Sequence, residues 1–561
     1  MLATTLSSLL VFAVMSVGLG WPFAARLNLP AAEKILAAVI VSLLGGFGVA
    51  WGVYVFAWPI AIFWSLPALA LFGLAWGRTA LVAVWRDREA RDLIVAQMIV
   101  TAWSVGWLAL VVTYSGGGWT GDWFGHWQRT VFFLEHGPRD ILFNGFDPLT
   151  SRPPLANLVT GALLAVTSRD FAHYQLALTW LGCLAFLPAA LLARRGAGRP
   201  VTAVLAVLFM LSPLWVQNVT FAWTKLPAAF FTLAAVHYFL AAGEPGNRSA
   251  GLGCAATLAA ALLTHYSAGP YAVVIAAGWL IRGWPRRKER AWWQETAFAA
   301  TVGAAVLATW FAWSLRTYGA AGTLLTNTSV TDQAADRATQ LANVALNLRD
   351  TVVPHFLRHV DYRFIAQTSA WGWWRDWFFL LYQVNLLFAC GSLAWLVLGV
   401  ALVRRGAALS PALRLGWGAA IAATVFLGIA AHGARDPWGL AHICLQPLVL
   451  AGLALLAAQW DGLGAGWRRV VVAGATLDGL LGIALQFGAQ SFLLDQWLAP
   501  GRPAVATIAS YSAIANLNLR AKLQNQWVFF GDGFVAQETL ILVTLAAVLG
   551  LALWRTTRRP A

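Results

Sequence analysis

An acid, a base and a cation stand close together at one place in this chain. Asp122, His126 and Arg129 follow the apolar run Leu93 to Tyr114, and Arg152 precedes two prolines further on. On a helix with about 100° per residue, the first three fall within about 80° of one another. A carboxylate can act as a general base on a hydroxyl or amine, and the arginine fork matches phosphate oxygens. Beside a membrane span, this set predicts an enzyme site for lipid-borne substrates.

The helix that would carry these residues is amphipathic. Trp119, Trp123, Trp127, Val131 and Leu134 occupy a side away from the polar one, which also includes His136. The pattern predicts a helix lying at the membrane surface, with its polar side towards a cavity. Pro153 and Pro154 predict the first turn of a second short surface helix, Leu155 to Thr167. An ion-paired surface helix remains the alternative to a catalytic one.

Further candidate binding residues lie at predicted outer ends of spans. They are Lys225, His265 and Tyr266, together with a short loop that contains His432, Arg435, Asp436 and His442. A lysine, histidine or tyrosine at a span end can equally be a residue that reaches to the membrane interface. Asp478 falls inside a span, where a carboxylate needs a partner; either function or helix–helix hydrogen bonding would explain it. Asp122 and His126, one turn apart, could share a divalent metal, but the sequence does not indicate a metal site or a cofactor.

The composition predicts an all-α polytopic membrane protein. Of 561 residues, 60% are apolar and 11% charged, with a mean hydropathy of +0.67. Apolar runs near the length of about 20 residues that a bilayer requires are frequent. The predicted spans are 2–21, 33–55, 58–76, 93–114, 172–193, 201–221, 224–242, 250–267, 269–284, 293–315, 378–403, 413–431, 440–459, 470–489 and 534–554. The first is expected to be a retained span, because it lacks the basic start of a signal peptide.

The net charge of +15 is explained by membrane topology, so it does not indicate a nucleic-acid partner. Alternate loops hold 23 Lys and Arg against 8 Asp and Glu on one side, and 15 against 14 on the other. By the positive-inside rule, the C-terminus is predicted in the cytoplasm of a bacterial inner membrane, with the Asp122 loop outside. The four cysteines lie in or beside apolar runs without metal-ligand spacing and are expected to be packing residues.

The spans predict four regions. Residues 1–77 form an N-terminal three-helix segment, 78–92 a cytoplasmic linker, 93–489 the main transmembrane module, and 490–561 an outer loop followed by a last helix. Two outer segments within the main module, 115–170 and 316–376, are too polar to cross a membrane.

Several stretches resemble one enzyme family. They are FNGFDPLTSRPPLANLVTG, SPLWVQNVTFAWTKLPAAFFTLAAVHYFL, AALLTHYSAGPYAVV and HGARDPWGLAHICLQPLVLAGLALLA, in that order between residues 93 and 460. Together with an outer Asp on a short helix, they are similar to bacterial GT-C glycosyltransferases of the family-39 type. That type includes the protein O-mannosyltransferases and the lipid A aminoarabinose transferase.

The resemblance implies a GT-C-like bundle of about 12 transmembrane helices, here with about three extra N-terminal ones. It also implies a polyprenyl-phosphate sugar donor, a lipid, glycan or protein acceptor, an extracytoplasmic site and inversion at the anomeric carbon. By this resemblance, Asp122 takes the place of the family's catalytic acid. Arg152 takes the place of a lysine on the side of the donor phosphate, and Arg435 lies in the stretch that contacts this phosphate.

The chain departs from the family at several points. Trp123 stands where a second acid commonly follows the first, and Lys225 replaces an acid at an outer corner. The sequence leaves two other functional hypotheses open: a transporter or flippase for lipid-linked saccharides, and a structural partner in an envelope complex. A transporter should place charges on both the cytoplasmic and the outer half of one pathway, or show paired discontinuous helices with repeat symmetry.

Overall fold

A computed structural model describes residues 1–112, 120–143, 145, 147–198, 201–243, 248–326, 336–352, 411–430, 446–498 and 528–557. Throughout these ranges the regular structure is helical, with one isolated β-bridge between Phe143 and Asp147. The predicted all-α class is therefore confirmed for the part of the chain that is described.

The N-terminal segment contains four α-helices and packs against the rest of the protein. They are α1 Leu2–Gly18, α2 Trp21–Ala24, α3 Ala31–Phe56 and α4 Ser65–Trp76. Helices α1 and α4 cross closely, because a Cβ atom on Gly18 or Gly73 would collide with the facing backbone. The region predicted as a linker is also helical, as α5 Arg78–Arg86 and the start of α6 Arg88–Leu108.

The central helices hold most of the buried core. They are α7 Thr120–Glu135, α8 Leu155–Ala165, α9 Phe171–Cys183, α10 Phe186–Ala197, α11 Thr202–Leu211, α12 Pro213–Thr220, α13 Lys225–Ala241, α14 Arg248–Thr264 and α15 Gly269–Gly283. The long helix α16, Arg290–Leu324, follows. It changes direction at Gly319, whose φ of +72° lies in the region that favours glycine.

Five further helices complete the described chain. They are α17 Arg337–Val352, α18 Pro411–Ala430, α19 Gln446–Gln459, α20 Ala465–Leu498 and α21 Glu538–Thr557. The predicted span 378–403 lies outside the described residues.

The helices fit a membrane protein, but fewer of them are long single spans than the hydropathy pattern predicts. Four in the described ranges are long and apolar enough to cross a membrane, or six if each of two bent pairs counts as one span. The predicted span 201–221 is one such pair: α11 and α12 meet at an angle of 74°, next to Pro213. A proline lacks the N–H that a continuous helix needs, which explains the break. Exposed Leu, Phe and Trp side chains cover α1, α4 and α21, as lipid contact requires.

The two short helices predicted at the membrane surface are present, but packed among other helices. In α8 every residue from Leu155 to Leu164 is buried. In α7 Trp123 and Leu134 of the tryptophan side are buried and Trp127 is half-buried, while His126 and Arg129 of the polar side are also buried. The helix ends at Glu135, and His136 has a φ of +53°, so it does not continue the polar face.

Candidate active site

Helix α7 places Asp122 in its first turn. A carboxylate there is favoured by the partial positive charge of the helix N-terminus. Its Oδ1 atom lies 3.6 Å from Nη2 of Arg152, and the two side chains are 29% and 20% exposed. Both partners of this pair are thus accessible from outside the protein core, as a group that meets a substrate must be.

Arg152 is held by the turn that precedes α8. Its backbone is extended, which suits the residue before a proline. One guanidinium nitrogen, Nη1, donates to the carbonyl oxygen of Ser151 at 3.1 Å. The short helical turn Leu149–Ser151 is fixed in its place by Thr150, whose hydroxyl donates to the carbonyl oxygen of Gly322 at 2.6 Å. The kinked end of α16 therefore supports the loop that presents Arg152.

Arg129 lies inside the protein, with 2% of its surface exposed. Its N–H groups donate to the carbonyl oxygens of Gly125 and Pro148 and to Oγ of Ser151, at 2.8–3.3 Å. Asp147 Oδ2 is 3.9 Å away, and the guanidinium carbon lies 4.4 Å from the centre of the Phe143 ring.

Burial, with the nearby Arg152 cation, lowers the pKa of Arg129 to about 9, so it remains charged at neutral pH. The sequence predicted a substrate-binding Arg129. Because its Nη1 and Nη2 atoms donate to protein oxygens, we propose that it positions the Arg152 loop, and substrate binding by Arg129 stays a prediction.

His126 is also buried, with 3% exposure, and its Nδ1 lies 3.3 Å from Oδ1 of Asn157 on α8. Burial, followed by the cations Arg129, Arg152 and Lys225, holds the pKa of His126 well below its usual range. The imidazole is therefore neutral at pH 7. In the structure this ring contacts Asn157 of the neighbouring helix α8, and substrate binding by His126 stays a prediction.

A second polar group faces the first from α13 and α14. Lys225, the first residue of α13, is 9% exposed, and its Nζ lies 2.7 Å from Nε2 of His265. The Tyr266 hydroxyl donates to the carbonyl oxygen of Thr150 at 3.2 Å, which ties this group to the Arg152 loop. Burial, and then the cations Lys225 and Arg152, lower the pKa of His265 well below its usual range. The electrostatic effects of Arg152 and Lys225 on both histidines show that four side chains, Arg152, Lys225, His126 and His265, lie around one region.

The described residues of this region include three cations, Arg129, Arg152 and Lys225, and two acids, Asp122 and Asp147. A partly enclosed group of cations attracts anions. No group of three or more metal-ligating side chains occurs in the described ranges, and Asp122 approaches Arg152, a residue that cannot bind a metal.

The N-terminal helices contribute to the same region. The His136 ring stacks on Tyr54 of α3 with 6.0 Å between ring centres, and Nε2 donates to the Val53 carbonyl oxygen at 3.0 Å. Tyr54 also packs edge-on against Phe133 of α7. Helix α3 therefore packs against the C-terminal end of α7, a contact that the sequence did not reveal.

Sequence reasoning missed Asp147 and Asn157. Both lie in the stretch FNGFDPLTSRPPLANLVTG, and an acid before a proline in an apolar chain is the signal that could have indicated Asp147. Of the other predicted residues, His432, Arg435 and His442 lie outside the described residues. The segment that contains them leads into α19, whose first residue, Gln446, donates to Oδ1 of Asn218 on α12 at 2.7 Å. Asp478 is buried in α20.

Comparisons with known proteins give the following results. No protein-family model matches the chain, and no curated protein matches it. The chain is similar to the crystal structure of ArnT from Cupriavidus metallidurans bound to undecaprenyl phosphate, with 16% identity, a TM-score of 0.45, and 82% of this chain and 74% of that chain covered. The apo structure of the same protein gives 15% identity, a TM-score of 0.43 and coverage of 81% and 74%. ArnT is a lipid A aminoarabinose transferase, a type of enzyme that the sequence resemblance also names.

Proposed function

We propose that this protein is an inverting glycosyltransferase of the bacterial inner membrane. It would move a sugar from a polyprenyl-phosphate donor to an envelope acceptor on the extracytoplasmic face. The observation that carries the proposal is the accessible Asp122–Arg152 pair, a carboxylate and a guanidinium 3.6 Å apart. One partner can take a proton and the other can bind phosphate. The donor class follows from the resemblance of the stretch around Arg152.

In the proposed reaction, Asp122 removes the proton from the acceptor hydroxyl or amine as that group attacks the anomeric carbon. The bond from this carbon to the phosphate oxygen breaks, and its electron pair leaves with the lipid phosphate, which gains a negative charge. Arg152 stabilises the charge as it develops. Buried Arg129 does not touch the substrate in this scheme; it holds the loop that presents Arg152 through Ser151.

A flippase is the main rival, and it predicts a second charged region along one pathway. The described residues do contain another charged cluster, formed by Glu33, Glu89, Arg194, Arg195 and His237. There each acid pairs with an arginine, Glu89 with Arg194 and Glu33 with Arg195. Ion pairs between packed helices explain these charges, so the cluster does not require a transport pathway.

The direct test uses purified protein in liposomes with a polyprenyl-phosphate pentose or hexose and a lipid extract of the cell envelope as the acceptor source. We expect free polyprenyl phosphate to form together with a glycosylated acceptor, both detected by mass spectrometry. Movement of intact donor between leaflets, without cleavage of the sugar–phosphate bond, would instead establish the flippase.

Arg152 and Arg435 are proposed to hold the donor phosphate jointly. Replacing either one with Ala should weaken donor use by about 1.5–3 kcal/mol, the scale of a hydrogen bond to a charged group. If both contact one phosphate, the double variant should lose clearly less than the sum of the two single losses. The measurement is kcat/KM for the donor. Strictly additive losses would indicate separate roles, and unchanged donor affinity in both single variants would move the phosphate site elsewhere.

The proposed topology has its own test. Single cysteines introduced at Gly117 and Arg287 should react with a membrane-impermeant maleimide from opposite sides of the membrane. The basis is the excess of Lys and Arg on one side. The control is a parent protein in which Cys390 and Cys444, which lie outside the described residues, are replaced with serine; its other two cysteines, Cys183 and Cys254, are buried. Labelling of both positions from the same side would overturn the extracytoplasmic site.

A further inference from the structure

Helix α5 turns away from the lipid-facing helix α4. Leu69, Phe72 and Trp76 of α4 are exposed, and the chain then bends by 69° into α5. The bend is fixed by Trp21, whose Nε1 donates to the carbonyl oxygen of Gly77 at 3.0 Å, and a Cβ atom on Gly77 would collide with this indole ring. Helix α5 therefore runs across the direction of α4, as a helix at the membrane surface does beside one that crosses the membrane.

The outward side of α5 combines apolar side chains with arginines. Its apolar side chains are all exposed: Leu81, Val82 and Trp85. At about 100° per residue these three fall within about 100° of one another, and Arg78 and Arg86 lie on the same side. Val84 points away from this side and is buried, so the rest of α5 packs on the protein. The three apolar residues and two arginines form the α5 face, whose composition is typical of a helix at a membrane interface.

The arginines around the α5 face are accessible. Four of them are exposed and form no ion pair within the described ranges: Arg78, Arg86, Arg88 and Arg91. The acids nearby have other partners. Glu89 pairs with Arg194 of α10. Asp92 pairs with Arg555 of α21 at 2.7 Å. Asp87 accepts a hydrogen bond from the first turn of α6 at 2.8 Å. These four arginines are therefore available to an anion outside the protein.

We propose that the α5 face binds anionic phospholipids of the bilayer. Its apolar side chains insert among the acyl chains at the membrane surface, and its arginines bind the headgroup phosphates, with Arg88 and Arg91 at the edge of the site. A guanidinium can donate two parallel hydrogen bonds to phosphate oxygens, and a basic segment beside a membrane is attracted to anionic lipid. Other helices carry the Asp122–Arg152 pair, so lipid binding at α5 is independent of the proposed transfer.

The test places a fluorescent probe on α5 and brings a quencher in with the lipid. Full-length protein with Thr79→Cys, Cys390→Ser and Cys444→Ser is labelled with NBD, since Thr79 is exposed and the remaining Cys183 and Cys254 are buried. Phosphatidylcholine nanodiscs then receive equal amounts of phosphatidylglycerol or phosphatidylcholine with a nitroxide on the acyl chain. A nitroxide quenches only a nearby probe. We expect the labelled phosphatidylglycerol to quench clearly more strongly.

Variants show which charges select the lipid. Arg78→Gln with Arg86→Gln removes both arginines of the α5 face. The preference for phosphatidylglycerol should then fall by about fivefold per arginine, the effect of one basic residue at an anionic surface. Arg287→Gln with Lys288→Gln removes two exposed charges from another loop and should leave the preference unchanged. Inorganic phosphate, which has no acyl chains, should not displace the lipid.

Three results would overturn the proposal. One is equal quenching by both lipids, or an unchanged preference after Arg78→Gln with Arg86→Gln. Another is no quenching by either lipid, which would place α5 away from the membrane. The third is displacement by inorganic phosphate, which would indicate a site for a free anion. The comparison of the two lipids in the parent protein holds even if the double variant does not fold.

Discussion

Asp122→Asn is expected to lower the rate of sugar transfer by about 10²-fold or more, with the protein still folded and inserted. Asparagine keeps the size of the side chain but cannot take a proton, and a general base contributes about 10²–10⁴-fold. Asp122 is the one acid of the α7 polar side and is 29% exposed, so its replacement by a neutral isostere leaves no buried charge behind. The loss should fall on kcat as well as on kcat/KM, because deprotonation belongs to the reaction step.

The matched control for this variant is Asp140→Asn, which neutralises an exposed acid of the same loop. It should retain nearly full activity in the same liposome assay. Near-normal turnover by Asp122→Asn would remove Asp122 from the reaction, and the resemblance to a catalytic acid would then reflect shared structure only.

Arg129→Ala is expected to destabilise the protein by about 3–5 kcal/mol, the usual loss when one partner of a buried ion pair is removed. The substitution leaves Asp147 as a buried carboxylate and removes the donors to Gly125, Pro148 and Ser151. A large drop in the thermal midpoint of the purified protein should result. Arg169→Ala, at an exposed position, is the control and should melt like the wild type.

A second variant distinguishes the ion pair from simple packing. Arg129→Met with Asp147→Asn removes both charges while keeping the volume similar, so it should recover part of the stability that Arg129→Ala loses. If Arg129→Ala melts like the wild type, the guanidinium does not hold the Arg152 loop, and its predicted role in substrate binding regains support.

The helices were predictable from the apolar runs, and their ends and bends were not. The run 201–221 is long enough for a single span, yet the chain bends by 74° where α12 begins with Pro213. Proline also occurs inside membrane helices whose neighbours satisfy the freed backbone groups, so the residue alone does not predict a break. The burial of α8 depends on helices α3, α7 and α9 packing around it, which no local pattern encodes.

The site was predictable to the extent that helix periodicity fixes it. The spacing of Asp122, His126 and Arg129 placed them on one side of α7, but it did not show which side chain stays accessible. Accessibility depends on the turn Leu149–Ser151, because Ser151 accepts a hydrogen bond from the buried Arg129. The next residue, Arg152, then lies beside Asp122. The hydrogen bond between Lys225 and His265 joins residues 40 positions apart, so only the packed helices reveal it.

The most direct test of the central claim compares lipid extracts from cells that contain the protein, lack it, or carry only Asp122→Asn. Mass spectrometry is used to search for polyprenyl-phosphate sugars. The account predicts that one such lipid accumulates without the protein, accumulates equally with Asp122→Asn, and disappears when the wild type is restored. Identical polyprenyl-phosphate sugars in all three strains, with the wild-type protein shown to be present in the membrane, would contradict it.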